Sequence, residues 1–204
     1  MKHIRHYINE AFISMNTPTT ALRLVTTKGM SREEWLKVRQ GGIGSSDAAA
    51  AMGISPYKSQ LELWLEKTGR VTQPDLSEKE AIYFGSMLEP LIANEYAKRS
   101  GNKVRRVNAV LQHPQHAFML ANLDREIIGG ADGPGVLEVK TAGHHSAKFW
   151  DEGVPYWYES QVMHQLAVTN RQWADVAVLL AGQEYRCYRI KRDDELVQEI
   201  IRLE

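Results

Sequence analysis

Cysteine is almost absent, with Cys187 the single thiol in 204 residues. That excludes a disulfide framework within the chain and an iron–sulfur cluster on four thiolates, and it points to a reducing compartment. No apolar run approaches the roughly 20 residues that a membrane helix needs, and the opening MKHIRHYINE lacks the apolar core of a secretory leader. The expectation is a cytoplasmic protein with no membrane partner. An excess of one charge is missing too: 25 basic residues meet 25 acidic ones. A chain this neutral holds nucleic acid only if folding segregates its charge. No histidine or cysteine spacing matches a zinc module, and neither His113–His116 nor His144–His145 makes a convincing site. There is no nucleophile elbow, and the glycine-rich turn GGIGSSD lacks the lysine of a nucleotide P-loop.

What is present describes a globular chain, 43% apolar and 25% charged, long enough for a real core. Residues 1–20 read as an extension and 21–204 as one α/β domain. Ser31 and Glu34 have the spacing of a capping box. They predict a helix carrying Trp35 and Arg39 and ended by Gly41-Gly42, after which Ser45 or Ser46 caps a short alanine-rich helix. Further helices are expected over Leu61–Lys67, from about Glu78 to Arg99, over Tyr156–Thr169 and over Asp193–Leu203. Strands are expected over Trp173–Leu180 and Glu184–Ile190.

The stretch Asp124–Lys140, DREIIGGADGPGVLEVK, carries the most chemistry. It reads as two strands joined by a Gly/Pro-rich turn, with Leu137 and Val139 on one face and Glu138 and Lys140 on the other. A loop centred near Asp132 sets Asp124 opposite Lys140, with Glu138 its diagonal neighbour. Two readings fit: a surface hairpin with a solvated Asp–Lys pair, or a buried hairpin whose carboxylates hold a hard cation such as magnesium. The apolar flanks FML and VL favour the second. Asp132 sits in GGADGPG, where it serves turn geometry, and is not expected to reach the site.

Other candidates surround this hairpin. Glu89 lies between Gly85 and Ala93 on one helix face, small neighbours that permit close approach to a sheet; the alternative is an exposed helix glutamate. GGIGSSD, with Arg39 and Ser46, offers backbone N–H groups, charge and hydroxyls to an anion, or else only a cap. Gln161 and Gln165, one turn apart beside an apolar stripe, are placed to hydrogen-bond a water or a phosphate, or to finish a polar helix edge. Lys98–Arg106 holds five basic residues and no acid, a phosphate contact or a solvated run.

Taken in order, WLKVRQGGIGSSDAAAAMG, FGSMLEPLIANEYA, LDREI…GVLEVKTA and YESQVMHQLAVT resemble the phage-type alkaline exonucleases, the lambda exonuclease group also called YqaJ-like viral recombinases. The likeness spans Trp35–Thr169 and implies a restriction-endonuclease-like fold, a central mixed sheet flanked by helices with a PD-(D/E)xK site. It implies that Asp124, Glu138 and the Val139 carbonyl bind the metal, that Glu89 supports it, and that Lys140 orients or deprotonates water with Gln161 beside it. Arg39, Ser46 and Ser45 would take the 5′-phosphate of DNA. The implied cofactor is Mg²⁺, or Mn²⁺, at two ions per site. The implied activity is 5′→3′ degradation of linear double-stranded DNA to 5′-mononucleotides, leaving 3′ strands for a single-strand annealing protein. A homotrimeric ring is implied as well. Asn122-Leu123 departs from the family, which usually has proline or a small residue before its aspartate. An endonuclease of the same fold, or a catalytically inactive DNA-binding scaffold, are the alternatives.

Overall fold

The computed structural model describes residues 20–73, 76, 79–130 and 132–204. The expected extension over 1–20 lies outside them apart from Thr20, as does Glu78.

Strand β1 (Leu22–Thr26) leads to helix α1 (Arg32–Gln40), where the capping box is formed: Ser31 Oγ accepts from Glu34 N at 3.2 Å and Glu34 Oε2 accepts from Ser31 N at 2.8 Å. The helix ends at Gly41, and β2 (Ile43–Gly44) follows. Gly42 is required here for space, since a Cβ would stand 2.3 Å from the Phe118 carbonyl oxygen. A 3₁₀ turn, Ser45–Asp47, precedes α2 (Ala48–Ala51). Neither serine caps α2, contrary to expectation. Asp47 occupies that position, and its carboxylate instead accepts from Gly44 N at 3.1 Å. A second capping box, Ser59 with Glu62, opens α3 (Gln60–Lys67). Helix α4 (Glu80–Ser100) is closed by Gly101 at φ 72°, a left-handed position suited to glycine.

Next come β3 (Val104–Arg105), β4 (Ala109–Gln112), β5 (Met119–Ala121), β6 (Arg125–Ile127) and β7 (Gly135–Ala142). The chain continues through α5 (His144–Ala147), α6 (Tyr156–Thr169), β8 (Trp173–Leu180), β9 (Glu184–Lys191) and α7 (Asp194–Leu203). Two sheets result, not one. The larger has the order β3-β6-β7-β8-β9, antiparallel except for the parallel β7–β8 pair. The smaller has the order β1-β4-β5-β2. Its strands are two to five residues long, too short to show a period in the sequence.

Helix α4 covers one face of the larger sheet, packing Ile92, Ala93 and Tyr96 on Ile127, Leu137 and Val139. Helix α6 covers the other, packing Val162, Met163 and Leu166 with Val136, Val176 and Val178. Strand β7 is thus a central strand covered on both faces, which explains why its apolar residues run on instead of alternating with solvated ones.

The hairpin register corrects the expected one. Arg125 pairs with Leu137, Glu126 with Val136 and Ile127 with Gly135. Continued by one step, this places Asp124 opposite Glu138, so the two carboxylates face each other and Lys140 is the diagonal neighbour. The connecting loop is two residues shorter than a pairing of Asp124 with Lys140 requires, so each residue keeps its face while its partner changes. Asp132 itself points away from the carboxylates, pairing with Arg189 at 2.8 Å while its carbonyl accepts from Trp173 Nε1 at 2.9 Å. Asp132→Ala is therefore expected to keep wild-type hydrolysis while lowering thermal stability slightly; an inactive variant would put the wrong aspartate in the site.

Candidate active site

Asp124, at the entry to β6, turns its Oδ2 onto the Val139 N–H at 2.8 Å. One residue on either side of that amide, Glu138 and Lys140 emerge from the sheet face covered by α6. Glu138 is almost fully buried and hydrogen-bonded on both oxygens. Its Oε1 accepts from Gln161 Nε2 at 2.6 Å and meets Lys140 Nζ at 2.7 Å, and its Oε2 accepts from Gln165 Nε2 at 2.7 Å. Gln161 closes the ring, because its Oε1 accepts from Lys140 Nζ at 3.0 Å. The Tyr158 ring lies 4.7 Å from the same ammonium. A buried carboxylate is tolerated here because every neighbour answers it.

Burial, and after it the charge of Glu138, pushes the Asp124 carboxyl up to about 8, against the pull of Lys140 and the Val139 N–H. Burial works to lower Lys140, but the Glu138 and then the Asp124 carboxylates outweigh it and hold the ammonium above the ordinary lysine range. With both carboxylates unscreened, Lys140 keeps its proton. The Asp124 shift has a thermodynamic sign. A carboxyl raised in the folded state binds its proton more tightly there, so stability falls as pH climbs from the ordinary aspartate value of 3.8 towards 8. In chelator, Asp124→Asn is expected to melt above the wild type at pH 8, by a margin that shrinks towards pH 4. Magnesium should raise the melting temperature of the wild type only; equal curves for both proteins in chelator at pH 8 would contradict the strain.

Glu89 reaches the same place from the opposite side of β7, on α4. Its Oε1 accepts from Arg125 NH1 at 2.5 Å, and Arg106 NH2 stands 3.8 Å away. Arg125, 9% exposed, also donates to the Asp124 carbonyl at 2.5 Å. Asn122, Asp124, Glu138, Val139, Lys140, Gln161 and Glu89 line one cavity of about 410 Å³, and Arg39, Ser45 and Ser46 line it too. Every residue that the family resemblance assigns to the site thus borders a single space, whereas Gln165 and the Lys98–Arg106 run do not line it.

The Arg39 corner is a charge cluster. Arg39 NH2 donates to Ser46 Oγ at 2.9 Å and to Asp47 Oδ2 at 2.7 Å, while its guanidinium lies 4.8 Å from the Trp35 ring. Lys67, from α3, meets Asp47 Oδ2 at 2.8 Å and donates to the Arg39 carbonyl at 2.8 Å. Burial would raise Asp47, but Arg39 and Lys67 overcome it and draw the carboxyl down to about 2. Two cations on one carboxylate leave a surplus positive charge.

Gln165, singled out with Gln161 by their spacing, meets the Glu138 carboxylate. Three residues of this neighbourhood had no assigned part in the sequence reading. Arg125 adjoins Asp124 and was visible only as a neighbour. Asp47 stood at the end of GGIGSSD, and Lys67 carried no signal, because only the packing of α3 on α1 brings it there.

The donor set suits a hard cation. Two carboxylates and the Val139 carbonyl are oxygen ligands of the kind magnesium takes while retaining several waters. Among the described residues no three His, Cys, Asp or Glu side chains are gathered into a metal-holding group. A cation held by this pair would leave positions for water and a substrate phosphate.

An aspartate before one strand, Glu-x-Lys on the next, and a helical glutamine over both, on a mixed sheet flanked by helices, define a nuclease fold of the PD-(D/E)xK type. The comparisons with known proteins agree. The chain belongs to the YqaJ-like viral recombinase domain family, whose model matches residues 34–172. It is 45% identical over 184 residues to the uncharacterized protein YqaJ of Bacillus subtilis, a match covering 89% of this chain and 56% of that protein. The chain thus spans about half the length of that curated relative. Among solved structures it resembles an alkaline exonuclease, LHK-Exo, from Laribacter hongkongensis, with a TM-score of 0.68, 27% identity, and coverage of 84% of this chain and 88% of that one. LHK-Exo has also been solved in complex with dAMP. A phage-related exonuclease from Haemophilus somnus shares the fold, with a TM-score of 0.60 at 12% identity over 83% of this chain and 93% of that one. No described helix is long and apolar enough to cross a membrane.

Proposed function

We propose that this chain is a magnesium-dependent exonuclease that degrades one strand of linear double-stranded DNA from its 5′ end, releasing 5′-mononucleotides. The observation that carries the reading is the single cavity shared by the Asp124–Glu138–Lys140–Gln161 ring and the Arg39–Ser46 corner. An anion pocket beside a hydrolytic centre measures one nucleotide from a strand end. Magnesium held by Asp124, Glu138 and the Val139 carbonyl, or manganese in its place, supplies charge at the scissile phosphate and the attacking water when bound. Lys140 donates to the phosphate or the water, held in line by Gln161 and by the Tyr158 ring. Gln161 and Gln165 keep both Glu138 oxygens fixed, so that no reorganisation is needed as charge develops. Arg39, with Ser45 and Ser46, receives the terminal phosphate, for which a guanidinium is well shaped. A second ion, as the family resemblance implies, would draw on Glu89, whose Oε1 is engaged by Arg125.

The remaining 3′ strand is a substrate for a single-strand annealing protein, and we assign that partner to the pathway. A homotrimer enclosing DNA is the proposed assembly, because a neutral chain has little electrostatic grip of its own. The outer face of α4 supports a protein contact, with Tyr83, Phe84, Met87 and Leu91 all more than half exposed. Light scattering should give three times the 23.2 kDa chain mass; a single-chain mass unchanged by DNA would exclude the ring.

Linear duplex labelled at either 5′ or 3′ end, and closed circular DNA, test the activity with magnesium. Early release of the 5′ label as a mononucleotide, with intact circles, is expected. Cut circles would indicate an endonuclease, and no metal-dependent release at all a binding scaffold.

A further inference from the structure

A second recess of about 240 Å³ opens on the other side of the Glu89–Asp124 wall, lined by Thr27, Trp35, Arg106, Asn108, Asn122 and Arg125. It shares Glu89, Asn122 and Asp124 with the catalytic cavity. Two arginines converge there on one carboxylate. Arg125 is buried and already neutralises Glu89 at 2.5 Å. Arg106 has a half-exposed side chain and stands 3.8 Å from the same oxygen, its one ion pair among the described residues. The other arginines of the basic run are engaged elsewhere: Arg99 with Glu95 at 2.6 Å, and Arg105 with Glu126 at 2.6 Å. Arg106 is therefore surplus positive charge at the wall of the catalytic cavity, and the recess, lined also by Asn108 and Asn122, holds no acid beyond Glu89 and Asp124.

We propose that Arg106 binds a phosphodiester of the DNA strand being degraded, the linkage on the 3′ side of the one being hydrolysed. This rests on the nuclease reading above. The terminal phosphate lies towards Arg39 and the bond to be cut lies at Asp124 and Glu138, so the rest of that strand leaves past Glu89 into the second recess. A phosphate there gives Arg106 the near, desolvated anion that Glu89 at 3.8 Å does not. Arg106 is a binding and positioning residue, with no part in proton transfer.

The test is Arg106→Ala beside Arg106→Lys, with 5′-phosphorylated duplex. Binding is read by fluorescence anisotropy in calcium over a salt series, and hydrolysis in magnesium. Arg106→Ala should weaken binding about tenfold, flatten the slope of log affinity against log salt by about one, and raise KM with kcat nearly unchanged. Arg106→Lys should restore the slope. A neutral methylphosphonate at the linkage next to the scissile one should weaken wild-type binding by a similar factor and add little to the Arg106→Ala defect. Unchanged affinity and slope in Arg106→Ala, or a methylphosphonate penalty equal in both proteins, would overturn the proposal. So would a change in light-scattering mass with an unchanged salt slope, which would make Arg106 a subunit contact. The binding arm reads Arg106 whether or not DNA is cut, so a protein that binds duplex but releases no nucleotide fails the nuclease reading alone.

Discussion

Asp124→Ala is expected to reduce hydrolysis of linear duplex by about a thousandfold or more, while the folded protein still binds DNA. In the proposed site the two carboxylates and the Val139 carbonyl hold the cation at the scissile phosphate. Losing one ligand forfeits charge stabilisation worth roughly 4 kcal/mol, at about 1.4 kcal/mol per tenfold in rate. Lys140→Ala should cost about a hundredfold to a thousandfold, the usual loss for one donor aimed at developing charge. It also leaves Glu138 without its cation and Gln161 Oε1 without its donor. Phosphate contacts elsewhere supply most of the affinity, so the binding curve separates a chemical defect from unfolding. An Asp124→Ala protein hydrolysing within tenfold of wild type would remove the assignment of this site.

Asp47→Ala should have the largest effect on stability. It strips the shared counterion from Arg39 and Lys67, whose side chains are only 16% and 17% exposed. Breaking a buried pair on one side costs roughly 3–5 kcal/mol, which for a chain of this size lowers the melting temperature on the order of 10 °C. The freed Arg39 should also lose its seat beside Ser46, and with it any preference for 5′-phosphorylated ends. The same pair predicts acid sensitivity. Asp47 is depressed to about 2 from 3.8, so its stabilisation is complete above about pH 4 and lost as pH falls towards 2, roughly 2 kcal/mol in all. Asp47→Ala should flatten that part of the acid-unfolding curve. A variant that melts like the wild type, with an unchanged acid limb, would show that the cluster holds nothing together.

Most helices were legible because their signals are local. Ser31–Glu34 marks a start by spacing alone, and Tyr156–Thr169 by its apolar stripe. The short strands β2, β4 and β5 were not legible, since two to four residues carry no period. The hairpin was recognised but its register was placed two residues out, because Gly/Pro-rich loops of different length look alike until the strands pair. In a central strand buried on both faces, the hydrophobic pattern no longer selects the register.

The sequence by itself determined which residues the fold gathers around one cavity: Asp124, Glu138 and Lys140 as the charged set, Gln161 beside them, and Arg39 with Ser46 at one corner. These are residue types, and type is written in the chain. Tertiary structure alone decided how charge is balanced among them. It set Asp124 facing Glu138, brought Glu89 to Arg125 from the other side of β7, and joined Lys67 to Asp47. Each of these pairs links segments distant in sequence, and a carboxylate's partner is fixed by which segments pack together and not by its neighbours along the chain.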